Sequence, residues 1–324
     1  MISQDSILIF GATGQLGKHL IRRFTQNNQK VIAVTRNIHK KGHILKTQSN
    51  YGWLELEETN SFSPEIISSL MDRCSICINL VGILYEKKKQ DFKNIHTNLP
   101  SLLSSIAKEK KLKNFIHVSA LGIDAAAEKQ DSNYAISKID GENQVKKNFY
   151  NHVILKPSII FSVDDNFTTN FMKLLSWLPM MPLYYSGKTK FTPIHVSDMA
   201  EIIYQVIQKN ITGETIECLG PEQITFKEII LQIMNSIEKK RLLISLPIPI
   251  ARITTKILEI MPRPLITQDQ LSLLKYDSIA SGKYKTNIDL GIKAKKKFKE
   301  EIDKYRFNWR TGGQFTKNNP SQKN

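Results

Sequence analysis

A phenol and an ammonium group stand four residues apart at Tyr134 and Lys138, and Ser119 ends the apolar run before them. Residues at this spacing share one face of a helix, so a helix over 133–147 brings the two side chains together. A lysine cation beside a phenol lowers its pKa from about 10. A phenol tuned in this way exchanges a proton with a carbonyl or hydroxyl while a hydride moves, and Ser119 adds a hydroxyl for the same substrate oxygen. The spacing recurs at Tyr85/Lys89 and Tyr184/Lys188, and position separates the three. Tyr85 lies in a charged loop and Tyr184 among prolines; only Tyr134 follows a run ending in serine and precedes Gly141-Glu142.

Such chemistry needs a hydride carrier, and the amino end supplies a place for one. Ile7-Leu8-Ile9-Phe10 runs into Gly11-Ala12-Thr13-Gly14-Gln15-Leu16-Gly17, after which Leu16, Leu20 and Phe24 fall on one helix face. This is a strand, a glycine turn and a helix start. Glycine lets the backbone turn tightly and approach a pyrophosphate, and the helix offers unpaired N–H groups to it. The next strand, Val31 to Thr35, ends in Arg36-Asn37 with Lys40 and Lys41 beyond and no carboxylate. An acidic residue there takes the ribose hydroxyls of NAD, and an arginine accommodates the extra phosphate of NADP. NADP(H) is therefore favoured over NAD(H).

The elements that position these residues alternate. Apolar runs at 7–10, 31–35, 53–56, 76–81, 115–119 and 153–156 read as strands, with helices from about Leu16 and over 64–72, 99–110 and 133–147. Alternation of this kind predicts an α/β fold, a Rossmann-type doubly wound parallel sheet covered on both faces. Ligands in such sheets bind at the carboxyl ends of the strands, and Gly11, Arg36, Leu56, Gly82, Ser119 and Pro157 fall near those ends. Beyond Pro157 frequent prolines break the pattern. The expected organisation is a dinucleotide-binding domain over 1–160, to which 192–220 returns through Ile194-His195-Val196 and Thr215 to Leu219. Residues 161–191 and 221–311 then form a smaller, irregular C-terminal α/β domain, and 312–324 a flexible polar tail.

At 324 residues and 41% hydrophobic content the chain can bury a large core. Its net charge of +16 is uneven: from Lys239 onward, 14 Lys and 5 Arg face 3 Glu and 4 Asp. Such an end attracts anionic lipid headgroups or an acidic partner. Nucleic acid is disfavoured, because Tyr305, Phe307 and Trp309 do not form a stacking module. The first strand begins close to Met1 and no apolar run approaches the roughly twenty residues of a spanning helix, so neither a signal peptide nor a transmembrane segment is expected. Cys74 and Cys77 have only Cys218 for company, too few for a zinc site or a disulfide framework, which fits core packing in a reducing cytoplasm. His96, His117 and His195 are joined by no ligand pattern, so no metal is expected.

Several motifs together carry a resemblance. The glycine turn, Asn79-Leu80-Val81-Gly82, His117-Val118-Ser119-Ala120-Leu121-Gly122 and the Tyr134/Lys138 pair with Gly141-Glu142 are four of them. Lys156-Pro157-Ser158-Ile159-Ile160-Phe161 and Pro193-Ile194-His195-Val196-Ser197-Asp198-Met199-Ala200 complete the set. From Ile7 to about Leu219 the chain resembles an extended or atypical short-chain dehydrogenase/reductase. Further marks are Phe92 to His96, Asp165 to Phe171, Ile266-Thr267-Gln268-Asp269-Gln270-Leu271 and Asn287 to Ile292 followed by Tyr305-Arg306. With these it resembles the nucleotide-binding accessory subunits of respiratory complex I, of the alpha-subcomplex subunit nine type, and their bacterial relatives.

The resemblance implies a tightly held NADP(H) serving structure, in a protein docked on complex I subunits at the inner face of the respiratory membrane through its basic end. It assigns cofactor contacts to Gly11, Thr13, Gly14, Gln15, Leu16, Gly17, Arg36, Leu80, Val81, Gly82 and Pro157, together with Ser119, Tyr134 and Lys138, which are also the catalytic set. The family's Gly-Asp-Leu after the third strand reads Leu54-Glu55-Leu56 here, so Glu55, with Leu56, stands in for the aspartate near the adenine. Two functions follow. One is an accessory or assembly protein of the respiratory complex with slow or no turnover. The other, motivated by the intact Ser119, Tyr134 and Lys138, is an active NADPH-dependent oxidoreductase or epimerase on a small or lipid-like carbonyl substrate.

Overall fold

The computed structural model describes residues 6–259, 266–310 and 312–313. The first half alternates strand and helix: β1 (Ile7–Phe10), α1 (Gln15–Thr25), β2 (Val31–Thr35), α2 (Ile38–Lys46), β3 (Leu54–Glu58), α3 (Pro64–Met71), β4 (Ile76–Asn79), α4 (Leu99–Glu109), β5 (Asn114–Val118), α5 (Asp124–Glu128), α6 (Asn133–Asn148) and β6 (His152–Pro157). The second half adds short pieces: β7 (Ile160–Phe161), α7 (Thr168–Trp177), β8 (Met180–Leu183), β9 (Lys190–Phe191), β10 (Ile194–His195), α8 (Val196–Gln208), β11 (Glu214–Cys218), β12 (Ile224–Thr225), α9 (Phe226–Ser236), β13 (Leu242–Ser245), α10 (Ile248–Leu258), α11 (Gln268–Leu273), β14 (Lys285–Thr286) and α12 (Phe298–Ile302).

Eight strands form one sheet in the order β14-β11-β6-β5-β4-β1-β2-β3, and every pair in it is parallel. The order reverses between β1 and β4, which opens a crevice at their carboxyl ends. Continuous apolar strands are what such a sheet requires, since both faces are covered. Ile7 and Ile9 pack with α1 and α8 through Leu20, Phe24, Met199 and Ile203. Leu8 and Phe10 pack on the other face with α3 and α4 through Ile67, Leu70, Leu103 and Ile106. A third core joins Phe161, Met172, Phe226, Ile230 and Phe298 from the second half.

Four features depart from the sequence expectations. The strand expected at 53–56 runs from Leu54 to Glu58, which moves its carboxyl end beyond Leu56. A helix, α2, follows Arg36, capped by Asn37 Oδ1 accepting from the Lys40 N–H. Ile194-His195 does not return to the main sheet: it pairs with β7 in a separate two-stranded ribbon. Instead β14, from the C-terminal region, adds the edge strand beside β11. The polar segment 314–324 lies outside the described residues, and no helix among the described residues is long and apolar enough to cross a membrane.

Candidate active site

The turn between β1 and α1 is a cradle that side chains would fill. Gly11 has a φ of +82°, and a Cβ on it would lie 3.0 Å from the Leu80 carbonyl carbon and 3.1 Å from the Val81 nitrogen. On Gly17 a Cβ would stand 2.5 Å from the Ala12 carbonyl oxygen, so only glycine lets α1 close onto the strand. Gly14 donates its N–H to Gly11 O at 3.1 Å. It begins α1 with no side-chain cap and no acidic residue in the first turn. That leaves amides and the positive helix end facing the crevice, the environment a pyrophosphate requires. Thr13 lies half-buried in this turn, whereas the Leu16 side chain belongs to the core. Gln15 is tied across the crevice: its amide donates to Ile160 O at 3.3 Å and accepts from Ser162 Oγ at 2.9 Å.

The opposite wall follows β4. Leu80 N–H donates to Phe10 O at 3.0 Å, and Oδ1 of the buried Asn79 side chain accepts from Val81 N–H at 3.1 Å. Gly82 lies against Lys138, whose Nζ would be 3.5 Å from a Cβ there. Ile83 N–H donates to His96 Nε2 at 3.1 Å. His96 Nδ1 is 3.0 Å from Ser137 Oγ, which itself donates to Tyr134 O at 2.8 Å. The ring therefore accepts at Nε2 and carries its proton at Nδ1. Burial pushes the His96 pKa down to about 3, which keeps the ring in this neutral form. His96 also stacks on Phe92 with centroids 5.3 Å apart and meets Tyr134 edge-on at 5.2 Å.

His96 belongs to a π-helical turn, residues 93–98, that runs into α4. Gly141 of α6 faces it: a Cβ there would fall 1.9 Å from the His96 carbonyl oxygen. Gly141 is therefore the reason α6 can bring Tyr134 and Lys138 against this wall. Asp269, on the far C-terminal α11, accepts from Ser132 Oγ at 2.7 Å and from Tyr134 N–H at 3.2 Å, closing the start of α6.

Tyr134 and Lys138 share a face of α6 with Glu142, which holds Ser119, but their protonation differs from the sequence expectation. Burial pushes the Tyr134 phenol up to about 12, and no cation reverses it. Burial also lowers Lys138 to about 8, against the opposing pull of Glu142. Lys138 Nζ donates to Val118 O at 3.3 Å. The expected lowering of the phenol by the lysine is absent because desolvation acts on both groups and dominates. Ser119 is also already engaged: its hydroxyl donates to Glu142 Oε1 at 2.5 Å. Glu142 Oε2 accepts from Lys156 Nζ at 3.2 Å, and Lys156 also pairs with Asp124 at 2.9 Å. The Lys156 side chain is 0% exposed and that of Glu142 2%. Burial alone would lower the Lys156 pKa, but Glu142 and Asp124 hold it above its usual value. Pro157, the next residue, ends β6 and accepts from Leu121 N–H at 2.9 Å.

At the adenosine end the structure separates residues that the sequence grouped. Arg36 is exposed at the carboxyl end of β2. Glu55 does not reach that end: it pairs with Lys30 at 3.0 Å and with Arg73, opposite Ile32 in the ladder. Leu56 packs near Gly42 of α2. β3 runs on past Glu55 to Glu58, which lies opposite Thr35. Of the other Tyr-x-x-x-Lys pairs, Tyr184 packs with Ala251 and Leu271, and Tyr85 lies in the loop after β4.

Glu142, Lys156 and Asp269 carry roles that the sequence reading did not assign. A lysine closing the apolar strand Val153-Ile154-Leu155 was a usable signal, since a charge inside a covered sheet demands a partner. His117 is buried and its Nδ1 lies 3.2 Å from Asn79 Nδ2. His195 caps α8 by accepting from Ser197 N–H, and no cluster of metal-ligating side chains occurs among the described residues. All three cysteines are free, and burial pushes the Cys74 thiol up to about 12.

Sheet order, glycine cradle and crevice define a Rossmann-type nucleotide-binding protein of the extended short-chain dehydrogenase/reductase class. The chain belongs to the NAD dependent epimerase/dehydratase family, whose pattern matches residues 7–218. It is 26% identical over 289 residues to the mitochondrial NADH-ubiquinone oxidoreductase 40 kDa subunit of Neurospora crassa, covering 88% of this chain and 74% of that one. It is 26% identical over 246 residues to a ceramide reductase of Caulobacter vibrioides, covering 75% and 74% of the two chains. Its fold matches UDP-glucuronic acid 4-epimerase from Bacillus cereus, with a TM-score of 0.67, 19% identity and coverage of 93% and 98%.

Proposed function

We propose that this protein holds NADP(H) in the β1–β4 crevice and serves as an accessory or assembly component of respiratory complex I, with slow or no turnover. The likeness to the mitochondrial complex I subunits over most of the chain supports the partner. The basic end from Lys239 onward is the proposed docking face, on complex I subunits and the adjacent anionic membrane surface. The observation that carries the low turnover is the state of the proton-handling groups. Ser119 donates to a buried carboxylate and the Tyr134 phenol is raised to about 12. The glycine cradle of Gly11 and Gly17 supports dinucleotide binding, with Leu80, Val81 and Gly82 as the facing wall. The bound nucleotide would supply hydride chemistry; Lys138 would help to hold it, and Tyr134 would hold a proton at its hydroxyl.

The test is purification without added nucleotide. NADPH that accompanies the protein and does not exchange, with co-purifying complex I subunits, is the expected result; intact complex I in a deletion strain would refute the role. The second reading, an NADPH-dependent reductase or epimerase on a small or lipid-like carbonyl compound, is favoured by the presence of Tyr134 and Lys138 on one face of α6, with Lys138 bonded to the residue before Ser119, and by the ceramide reductase relative. Under it, Tyr134→Phe abolishes NADPH oxidation while NADPH still binds.

A further inference from the structure

The sequence offers Arg36 as the polar determinant at the adenosine end, and the strand register adds a second one of opposite sign. Thr35 of β2 lies opposite Glu58 of β3, so the last residue of β3 stands beside the strand end that continues into Arg36. The Glu58 carboxylate accepts the Ile38 N–H at 2.6 Å, and Asn37 Oδ1 accepts the Lys40 N–H at 2.7 Å. Two amides at the start of α2 are thus bonded to the protein's own side chains, one of them charged. Neither Arg36 nor Glu58 has an ion pair among the described residues, so the two charges do not cancel by contact. Glu55, by contrast, is neutralised by Lys30 and Arg73 lower in the sheet.

We propose that Glu58 is a specificity-determining residue that opposes Arg36 in the choice of dinucleotide. Arg36 attracts the 2′-phosphate of NADP(H); Glu58 repels that dianion and offers an acceptor to a free 2′-hydroxyl, so the chain takes NADH as well as NADPH. This inference rests on the reading of the crevice as a nicotinamide dinucleotide site. Both side chains are exposed, so each acts through solvent with an effect of a few-fold, and salt weakens it.

The experiment is a fluorescence titration of the whole protein, freed of any co-purified nucleotide, with NADPH and with NADH, for the wild type, Glu58→Gln, Arg36→Ala and Glu55→Gln, at low and high salt. Glutamine keeps an acceptor for the Ile38 N–H, so α2 retains its start. Glu58→Gln is expected to raise the ratio of NADPH to NADH affinity about three- to fivefold, with a smaller rise at high salt. Arg36→Ala lowers the ratio by a comparable factor, and Glu55→Gln leaves it unchanged. A ratio that Glu58→Gln moves by less than about 1.5-fold, or that Glu55→Gln moves equally, overturns the role of Glu58 and leaves the cofactor reading standing. Failure of the wild type to bind either dinucleotide overturns both.

Discussion

Replacing Lys156 by methionine tests whether the buried ionic chain behind Ser119 holds the site together. Lys156 Nζ bridges Glu142 at 3.2 Å and Asp124 at 2.9 Å from a side chain with no exposure. Asp124 is 23% exposed and can turn to water once the lysine is gone. Glu142, at 2% exposure, cannot, and retains only the Ser119 hydroxyl as a hydrogen-bond donor among the described residues. Breaking a buried pair in this way costs about 3–5 kcal/mol. An unfolding entropy of about 2.1 cal/mol/K per residue amounts to about 0.7 kcal/mol/K over 324 residues. Lys156→Met should therefore lower Tm by about 4–7 °C. Glu142→Leu should cost less, because Lys156 keeps Asp124, and the double variant should lie within about 2 kcal/mol of wild type, since a packed apolar pair needs no counter-charge. Urea denaturation of all four proteins completes the cycle. A loss below about 1 kcal/mol for Lys156→Met, or a double variant as unstable as the sum of the singles, would refute the argument.

Gly141→Ala should destabilise by about 3 kcal/mol or more, since its Cβ would collide with the His96 carbonyl at 1.9 Å and neither backbone can yield cheaply; urea midpoints check it. Gly17→Ala should abolish NADPH retention, because α1 would be pushed off Ala12; absorbance at the nicotinamide band of the purified protein reports it. His96 is held down to about 3 in the fold, below its ordinary 6.5, so the unfolded chain binds the extra proton between those values. Stability should accordingly fall as pH drops from 6.5 toward 3, by a contribution on the order of 4 kcal/mol. His117 and His195, also lowered by burial, add to the slope. His96→Asn should flatten it measurably in denaturation curves taken across that range.

Most helices and strands of the first half were legible because each obeys one local rule; the short α2 and α5 were not. Ile7 to Phe10 and Val31 to Thr35 are short apolar runs bounded by turns, and α6 was marked by its spacing of Tyr134 and Lys138. The end of β3 was not legible: Glu57 and Glu58 carry no apolar signal, and they remain in the strand only because β2 pairs with them residue by residue. Ile194-His195 looked like a return to the main sheet, yet its ladder partner is the equally short β7, a choice made by long-range packing rather than by composition.

The sequence by itself determined the glycine turn, because the positive φ at Gly11 and the contacts that exclude a Cβ at Gly11 and Gly17 admit no other residue there. It likewise determined the α/β alternation, since apolar periodicity is local. Protonation and charge pairing were decided only in three dimensions. Desolvation of Tyr134, capture of Ser119 by Glu142 and the placing of Glu58 opposite Thr35 each depend on segments distant in sequence. Electrostatic energies follow through-space distance and local burial, and neither is written in the spacing along the chain.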